Sequence, residues 1–335
     1  MQLRNSLFLA AQDGKLAEIA ALRPLSALWS MGARLKNELY DRKWLPICRL
    51  PIPVVSVGSL TAGGSGKTPL VHLLSISLQP FGKVALLSRG YLAKASGLAL
   101  GDEMQMLKNR IPGGLYYADK DRLAIGRKAA EEGAAIAILD DGFQHRKLHR
   151  DIELLILDPA NPFGYNAFLP RGLLRDPPER LKSADAVFLN GEAEIDLSSY
   201  TNAPLIRVRP KIRRCVHWQS KKAVSLKDRR VGAFCAIAHP RRFLETLNHL
   251  GVSTLESWFL SDHAKPDAEL LRNFAKRCKR KGAEALVCTE KDAVKLERLD
   301  LPLPIYYLEM ELEIDSHGQG AWDSLIDKIA LKMNN

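Results

Sequence analysis

The sequence lacks several features that would restrict where and how the chain works. It has no apolar run near the roughly 20 residues that a helix needs to cross a bilayer. The first apolar stretch, 7–11, is broken at once by Gln12 and Asp13, so we expect no signal peptide. The five cysteines are dispersed and form no C-x-x-C pair, which favours reduced thiols over disulfides or a zinc site. These absences predict a cytoplasmic protein without a membrane span.

Aromatic residues are scarce as well, at 7%, and the sequence contains no internal repeat or low-complexity segment. Hydrophobic residues make up 46% and charged residues 26%, which is typical of a folded protein and argues against disordered, collagen-like and coiled-coil classes. The formal net charge of +11 indicates a polyanionic partner: nucleic acid, an acidic membrane surface or a phosphorylated substrate. Charge alone does not choose among these three.

Short apolar runs alternate with helical patterns from residue 54 onward, which predicts an α/β fold with a mainly parallel sheet and flanking helices. The expected strands lie at 54–57, 84–88, 135–139, 154–157, 186–189 and 205–208, and then at 232–237, 286–289 and 305–308. The segment 211–230 between the two sets is rich in lysine and arginine and has no clear periodicity. We therefore expect an N-terminal helical segment at 1–45, a first domain at 46–210 and a smaller α/β domain at 211–335.

The segment 22–40 has apolar residues at helical spacing, among them Trp29, and no charge between Arg23 and Arg34. Several cations follow: Arg34, Lys36, Arg42 and Lys43. A helix with an apolar face containing tryptophan, followed by cations, can lie in a membrane interface. It can equally pack its apolar face on the core of its own domain, and these residues alone leave both interpretations open.

A glycine-rich loop follows the first strand and precedes a helical pattern, in the order that a phosphate-binding P-loop requires. Glycines let backbone N–H groups curl around phosphate oxygens, and the helix N-terminus adds a favourable dipole. Lys67 would reach the β- and γ-phosphates of ATP, and the Thr68 hydroxyl would bind Mg²⁺. The residues expected at the phosphates are Thr61, Ala62, Gly63, Gly64, Ser65, Gly66, Lys67 and Thr68. Thr61 stands where the strict P-loop pattern has glycine.

A second motif fits the same chemistry. The apolar run 134–139 ends in Asp140 and Asp141, which predicts a strand that delivers two carboxylates to the edge of the sheet. A metal-binding aspartate belongs at this edge in a P-loop protein. The sequence therefore predicts an ATP-dependent phosphoryl-transfer site with Mg²⁺.

Further motifs resemble those of one kinase family. They are Ser88-Arg89-Gly90-Tyr91, Gly101-Asp102-Glu103, Asp140-Asp141-Gly142-Phe143-Gln144-His145, Ser261-Asp262-His263 and Thr289-Glu290-Lys291-Asp292. With the P-loop, this set and order resemble the tetraacyldisaccharide 4′-kinases, the lipid A 4′-kinases of Gram-negative bacteria. The resemblance runs from about residue 22 to beyond 295, and that family also has threonine at the position of Thr61.

The resemblance implies a reaction and a location. Members of that family move the γ-phosphate of ATP to the 4′-hydroxyl of an acylated glucosamine disaccharide 1-phosphate, which gives lipid IVA, and they require Mg²⁺. They act at the cytoplasmic face of the inner membrane and join a P-loop domain to a smaller α/β domain. For this chain we therefore expect an anionic glycolipid substrate, peripheral or monotopic contact of 22–40 with the inner membrane, no nucleic-acid partner and a monomer.

The resemblance also implies roles for individual residues. Asp102 corresponds to the aspartate proposed to take the proton from the attacking hydroxyl, and His263 to the histidine paired with it. Arg175 corresponds to an arginine near the transferred phosphate, where a guanidinium stabilises charge in the transition state. Asp176 stands where the family usually has glutamate, which makes it a shorter carboxylate that we expect, with Asp140 and Asp141, to serve the metal.

Two other functions share part of this pattern. A cytosolic P-loop ATPase or GTPase for metal-centre assembly or protein targeting would have the same strand, loop and aspartates, but would need neither Asp102 and His263 nor a lipid-facing helix. A nucleic-acid-dependent ATPase is suggested by the charge. Against it, aromatics are few and no RNA- or DNA-binding signature accompanies the basic runs.

Overall fold

The computed structural model of the chain describes residues 14–90, 100–237, 240–261 and 264–334. These residues divide into two compact units. Among the described residues, unit 1 takes 14–90, 111–210 and 312–334, and unit 2 takes 100–110 and 211–311.

The strands are β1 Val54–Gly58, β2 Val84–Ser88, β3 Leu115–Ala118, β4 Ile136–Asp140, β5 Ile152–Leu157, β6 Ala186–Asn190, β7 Leu205–His217, β8 Ala223–Val224, β9 Arg230–Cys235, β10 Ser253–Phe259, β11 Ala285–Thr289 and β12 Ile305–Ile314. The α-helices are α1 Arg23–Asp41, α2 Lys67–Leu78, α3 Asp102–Arg110, α4 Arg122–Glu131, α5 Pro240–His249, α6 Ala268–Arg280, α7 Glu290–Ala293 and α8 Gln319–Met333.

Unit 1 is built on a parallel sheet in the order β7-β6-β5-β1-β4-β2-β3. The central strands β1, β4 and β5 are buried at every position, because helices and loops cover both faces of such a sheet. This double burial is the reason that these strands read as mainly apolar runs in the sequence, with Ser56, Asp140 and Glu153 as buried polar exceptions. Their carboxyl ends meet at one edge, where β1 leads into the glycine-rich loop and β4 ends in Asp140.

Unit 2 has the strand order β10-β9-β11-β12-β7, with β8 antiparallel to the end of β7. The pairs β10–β9, β9–β11 and β11–β12 are parallel. One side of this sheet carries an aromatic cluster in which the ring centroids of Phe234 and Phe274 lie 6.4 Å apart, with Trp258 beside them. The α/β class with a mainly parallel sheet that the sequence predicts is therefore confirmed.

Three strands are absent from the set expected from the sequence: β3, the two-residue β8 and β10. β3 and β10 are only partly buried, so they lack the apolar run of an inner strand. β7 was expected at 205–208, but it continues to His217, into the basic segment in which the sequence shows no clear periodicity. The lysine and arginines of this second half lie exposed along the strand.

The division into units differs from the expected domains in three segments, of which the first, 14–45, was expected to stand apart and instead falls in unit 1. α3 belongs to unit 2, where Arg110 pairs with both carboxylate oxygens of Glu290 and also donates to the carbonyl of Met310 at 2.6 Å. α8 belongs to unit 1, where the Trp322 ring meets Phe188 with centroids 5.9 Å apart. Both segments are separated in the chain from the residues that they contact, and local patterns do not reveal such pairings.

α1 is amphipathic, but its polar face is the one that is buried, whereas a helix that packs on a core buries its apolar face. Its buried residues are Ser26 and Asn37, both polar. Its large apolar side chains point away from the unit and are 47–63% exposed: Leu25, Leu28, Trp29, Met31 and Leu35. The apolar face therefore does not cover the core of its own domain. Within the described ranges, no helix combines the length and apolar character that a bilayer span needs.

Candidate active site

The glycine-rich loop lies between β1 and α2 and has the backbone form of a phosphate cradle. Gly63 and Gly66 adopt φ angles of 110° and 100°, in the left-handed region that side chains rarely tolerate. A Cβ on Gly66 would lie 2.6 Å from Nδ2 of Asn190, which donates to the carbonyl of Ser65 at 3.0 Å. Asn190 ends β6, which lies two strands away from β1 in the sheet, so a strand other than the direct neighbours of β1 braces the loop. The expected strand, loop and helix are all present.

Thr61, the departure from the strict pattern, has a structural reason. The N–H of Ala62 donates to the carbonyl of Leu173 at 2.8 Å, and the N–H of Arg175 donates to Leu60 at 2.8 Å. Residues 60–62 thus run as a short antiparallel pairing with 173–175. Threonine is well suited to extended backbone. This pairing is what brings Arg175 to the phosphate loop.

Arg175 and Lys67 meet at one carboxylate. Both guanidinium Nη atoms of Arg175 donate to Asp141, each at 2.7 Å, and Lys67 Nζ lies 3.7 Å from the same carboxylate. Lys67 also donates to the carbonyl of Gly63 at 3.3 Å, so its ammonium points into the loop. Burial by itself would raise the pKa of Asp141, but Lys67 and Arg175 overcome this and hold that pKa well below its usual range.

Arg122, which the sequence analysis missed, holds the backbone of the two aspartates. It is 3% exposed and donates to the carbonyl of Asp140 at 3.0 Å and to that of Asp141 at 3.1 Å. Asp141 has φ 51°, an unusual angle for a non-glycine residue and one that tertiary contacts must maintain. The local signal was Asp121, whose side chain caps α4 and so places Arg122 at its first position.

Asp176 lies in a different set of contacts. Its two carboxylate oxygens accept hydrogen bonds from Nδ2 of Asn37 and Nε2 of Gln144, both at 2.8 Å. The residue is 6% exposed. In this arrangement its oxygens are directed at two side-chain amides. The metal role expected for Asp176 stays a prediction.

The donor set at the loop fits Mg²⁺. Thr68 begins α2 with Lys67, and Asp140 ends β4, which pairs with the strand that leads into the loop. A hydroxyl and a carboxylate are the hard oxygen donors that this ion takes in small number, with substrate phosphates completing the shell. Among the residues described, no group of three or more His, Cys, Asp or Glu side chains is arranged for a metal. Both oxygens of Asp141 are engaged by Arg175. The metal roles expected for Thr68, Asp140 and Asp141 stay predictions.

His145 is neutral near pH 7. Burial lowers the pKa of its imidazole to about 4, and neighbouring cations, with Arg122 foremost, add to the effect. Its Nε2 atom is buried and finds no hydrogen-bond partner within the described part of the chain. Its carbonyl accepts from Arg150 at 3.3 Å. The side chain thus brings no positive charge to the phosphate site.

Asp102 lies in unit 2, at the first position of α3, and is 3% exposed. Its Oδ2 is 3.8 Å from Nζ of Lys295, a buried ammonium that also lies 2.9 Å from Asp292. Asp292 is fixed in turn, because it accepts from the N–H of Ala236 at 3.1 Å. His263 lies outside the described residues, so the expected pairing with Asp102 stays a prediction.

Comparison with known proteins shows the family of the chain. A family model described as tetraacyldisaccharide-1-P 4′-kinase matches residues 19–330. A tetraacyldisaccharide 4′-kinase of Chlamydia pneumoniae is 35% identical over 316 residues, covering 87% of this chain and 86% of the relative. Another, of Syntrophus aciditrophicus, is 37% identical over 334 residues and covers 88% of both chains.

A solved structure is similar as well. The crystal structure of an apo form of LpxK from Aquifex aeolicus in complex with ATP has a TM-score of 0.75 and 29% identity, and the match covers 92% of this chain and 98% of that one. The family model spans nearly the whole sequence, and the relatives are more than 30% identical over most of their length. The chain therefore belongs to the tetraacyldisaccharide-1-P 4′-kinase family.

Proposed function

We propose that the chain transfers the γ-phosphate of ATP to the 4′-hydroxyl of an acylated glucosamine disaccharide 1-phosphate, giving lipid IVA. The observation that carries this proposal is the meeting of Lys67, Arg175 and Asp141 beside a P-loop, in a member of this kinase family. The Aquifex relative was crystallised with ATP, which supports ATP as the donor here.

The protein's part in the reaction is positioning and charge. The transition state of phosphoryl transfer is loose and spreads charge over the oxygens of the moving group. Backbone N–H groups at 63–68 would hold the phosphates, and Lys67 would turn from Gly63 toward the β- and γ-oxygens. Arg175, anchored by both oxygens of Asp141, presents a fixed guanidinium beside them. Such preorganised charge needs little rearrangement during the reaction.

Thr68 and Asp140 would hold Mg²⁺, which when bound neutralises charge on the β- and γ-phosphates. Arg122 contributes indirectly, because it fixes the carbonyls of Asp140 and Asp141 and with them the direction of both side chains. Asp102 is proposed as the base that accepts the proton of the sugar hydroxyl, on the strength of its match to the family motif. A sugar hydroxyl is a weak nucleophile at neutral pH, so a positioned carboxylate is useful.

We further propose that α1 contacts the cytoplasmic face of the inner membrane as a peripheral element. Its apolar side chains face outward, and Trp44 beyond its end is 70% exposed. An exposed apolar strip with tryptophan is suited to the boundary between headgroups and acyl chains. The net charge of +11 adds attraction to anionic lipids.

The metal-centre-assembly or targeting alternative is not supported by the family to which the chain belongs. The nucleic-acid alternative has no support from it either.

The direct experiment is label transfer. The purified protein is incubated with γ-labelled ATP, Mg²⁺ and the acylated disaccharide 1-phosphate in mixed micelles. We expect label in the lipid, and a loss of about 100-fold or more for Lys67→Ala because one preorganised charge is removed. ATP hydrolysis without labelled lipid, stimulated by nucleic acid or a protein partner, would refute the kinase proposal.

A further inference from the structure

The polar face of α1 is bonded to the two segments that carry the phosphate-site residues. Ser26 Oγ donates to the carbonyl of Phe168 at 2.7 Å, and Lys36 Nζ donates to that of Gln144 at 2.8 Å. Since the buried residues of α1 are Ser26 and Asn37, polar contacts rather than apolar packing hold this helix in place. Polar contacts are directional, so they fix geometry more sharply than apolar packing does.

Asn37 joins both segments at once. Its Nδ2 donates to Oδ1 of Asp176 at 2.8 Å, and its carbonyl accepts from Arg146 at 2.9 Å. Arg146 also reaches Asp41 at the end of the helix, at 2.6 Å. Asn37 itself is 7% exposed. The side-chain amide of Asn37 thus ties the C-terminal half of α1 to the segment 174–176, and its main-chain carbonyl ties the helix to Arg146 in the segment 140–146.

From Asp176 the contacts continue to the reacting groups. Nε2 of Gln144 donates both to Oδ2 of Asp176, at 2.8 Å, and to the carbonyl of Ser59, at 3.1 Å. The Ser59 carbonyl also accepts a hydrogen bond from Nη2 of Arg175 at 3.2 Å, and Arg175 donates two hydrogen bonds to the carboxylate of Asp141. Asp176 bonds to Gln144 and follows Arg175 directly in the chain, so it is linked to both donors of the Ser59 carbonyl.

We propose that Asn37 is a positioning residue that couples the lipid-facing helix to phosphoryl transfer. By holding Asp176, it fixes Gln144 and Arg175 against the Ser59 carbonyl, and so makes turnover depend on the docked state of α1. The inference rests on the proposed function. A misplacement of about 1 Å at a reacting group can cost on the order of 100-fold in rate. The Asn37 amide can therefore affect the rate of phosphoryl transfer although it does not touch the reacting atoms.

Three variants test this inference. Asn37→Ala removes the donor to Asp176, and Asn37→Asp keeps the shape and the main-chain acceptor for Arg146 but replaces the donor by a carboxylate. Ser26→Ala is the matched control, because it removes an equally buried polar contact of α1 that ends on the Phe168 carbonyl and leaves the Asn37 contact with Asp176 in place. Each is assayed for label transfer in mixed micelles, for kcat and KM with ATP, and for backbone hydrogen exchange at 141–146 without nucleotide.

Both Asn37 variants are expected to lower kcat about 10-fold or more while KM for ATP changes by less than about twofold. Exchange at 141–146 should be faster in both, and Ser26→Ala should resemble the wild type. Asn37→Asp with wild-type kcat would overturn the inference, as would a loss of kcat in Ser26→Ala equal to that of Asn37→Ala. Failure of the wild type to label lipid would instead refute the proposed function, and the inference about turnover with it.

Discussion

Arg175 is the residue on which the geometry of the phosphate site depends most. It reaches Asp141 through two nitrogens at 2.7 Å and reaches the Ser59 carbonyl with one of them. A lysine at this position would keep the charge but lose the planar, bidentate contact. The sequence identified this arginine only through its resemblance to a family motif, because the pairing of 60–62 with 173–175 leaves no periodic signal.

We therefore expect Arg175→Lys to lower kcat about 100-fold or more with a small change in KM for ATP, because the lost interaction acts mainly in the transition state. Steady-state label transfer measures both constants. Arg209→Lys is the control, since Arg209 is a half-exposed arginine of the same unit paired with Glu192. If kcat of Arg175→Lys stays within about threefold of the wild-type value, the loss is too small for a residue that stabilises this charge, and the prediction is wrong.

A substitution at Asp102 tests whether this residue is the general base that accepts the proton of the sugar hydroxyl. An isosteric Asp102→Asn change removes the proton acceptor, and general bases typically contribute about 100- to 10,000-fold, so kcat should fall in this range while ATP still binds. Nucleotide affinity is measured separately by calorimetry. Asp267→Asn is the matched control, because Asp267 is an exposed carboxylate at the start of α6 in the same unit. Normal turnover in Asp102→Asn would exclude this residue as the base.

At the scale of elements, α1 is the helix for which the sequence left two interpretations open, packing on its own domain or contact with a membrane. The structure excludes packing of the apolar face on the core, and membrane contact stays a proposal. The helical spacing of leucines between 22 and 40 predicts a helix but does not say which way its apolar face points. The structure turns that face outward and buries Ser26 and Asn37 instead. Part of the expected basic cluster is paired within the protein, since Arg34 meets Glu179 at 3.3 Å and Arg42 meets Glu38 at 2.6 Å.

This orientation gives a prediction for lipid binding. Leu28→Ser combined with Leu35→Ser should reduce co-sedimentation with anionic vesicles about 10-fold or more, since each buried leucine contributes about 1.5–3 kcal/mol. The melting temperature should stay nearly unchanged because both residues are exposed. The control pair is Leu270→Ser with Leu331→Ser, two leucines of similar exposure outside α1. Equal sedimentation of both double variants would argue against α1 as the lipid contact.

Across the whole molecule, the sequence was most informative where burial is complete. β1, β2 and β4–β6 are mainly apolar, and each lies within two residues of its expected place at either end. The glycines and Lys67 of the loop follow from phosphate chemistry. The features that could not be predicted depend on distant parts of the chain. They are the hydrogen bonds from Arg122 to two carbonyls, the contacts that join Asn37, Asp176 and Gln144, and the membership of α3 and α8 in their units. Such contacts leave no mark on local composition or period.

The central claim for the whole molecule is that one phosphate moves from ATP to one position of a lipid sugar. The most direct measurement combines phosphorus NMR of the lipid product with the amount of ADP formed in the same reaction. We predict a new phosphomonoester at the 4′-position in equal amount to ADP, with the 1-phosphate unchanged. ADP formed without a new lipid phosphomonoester, or a phosphate added at another position, would contradict this claim.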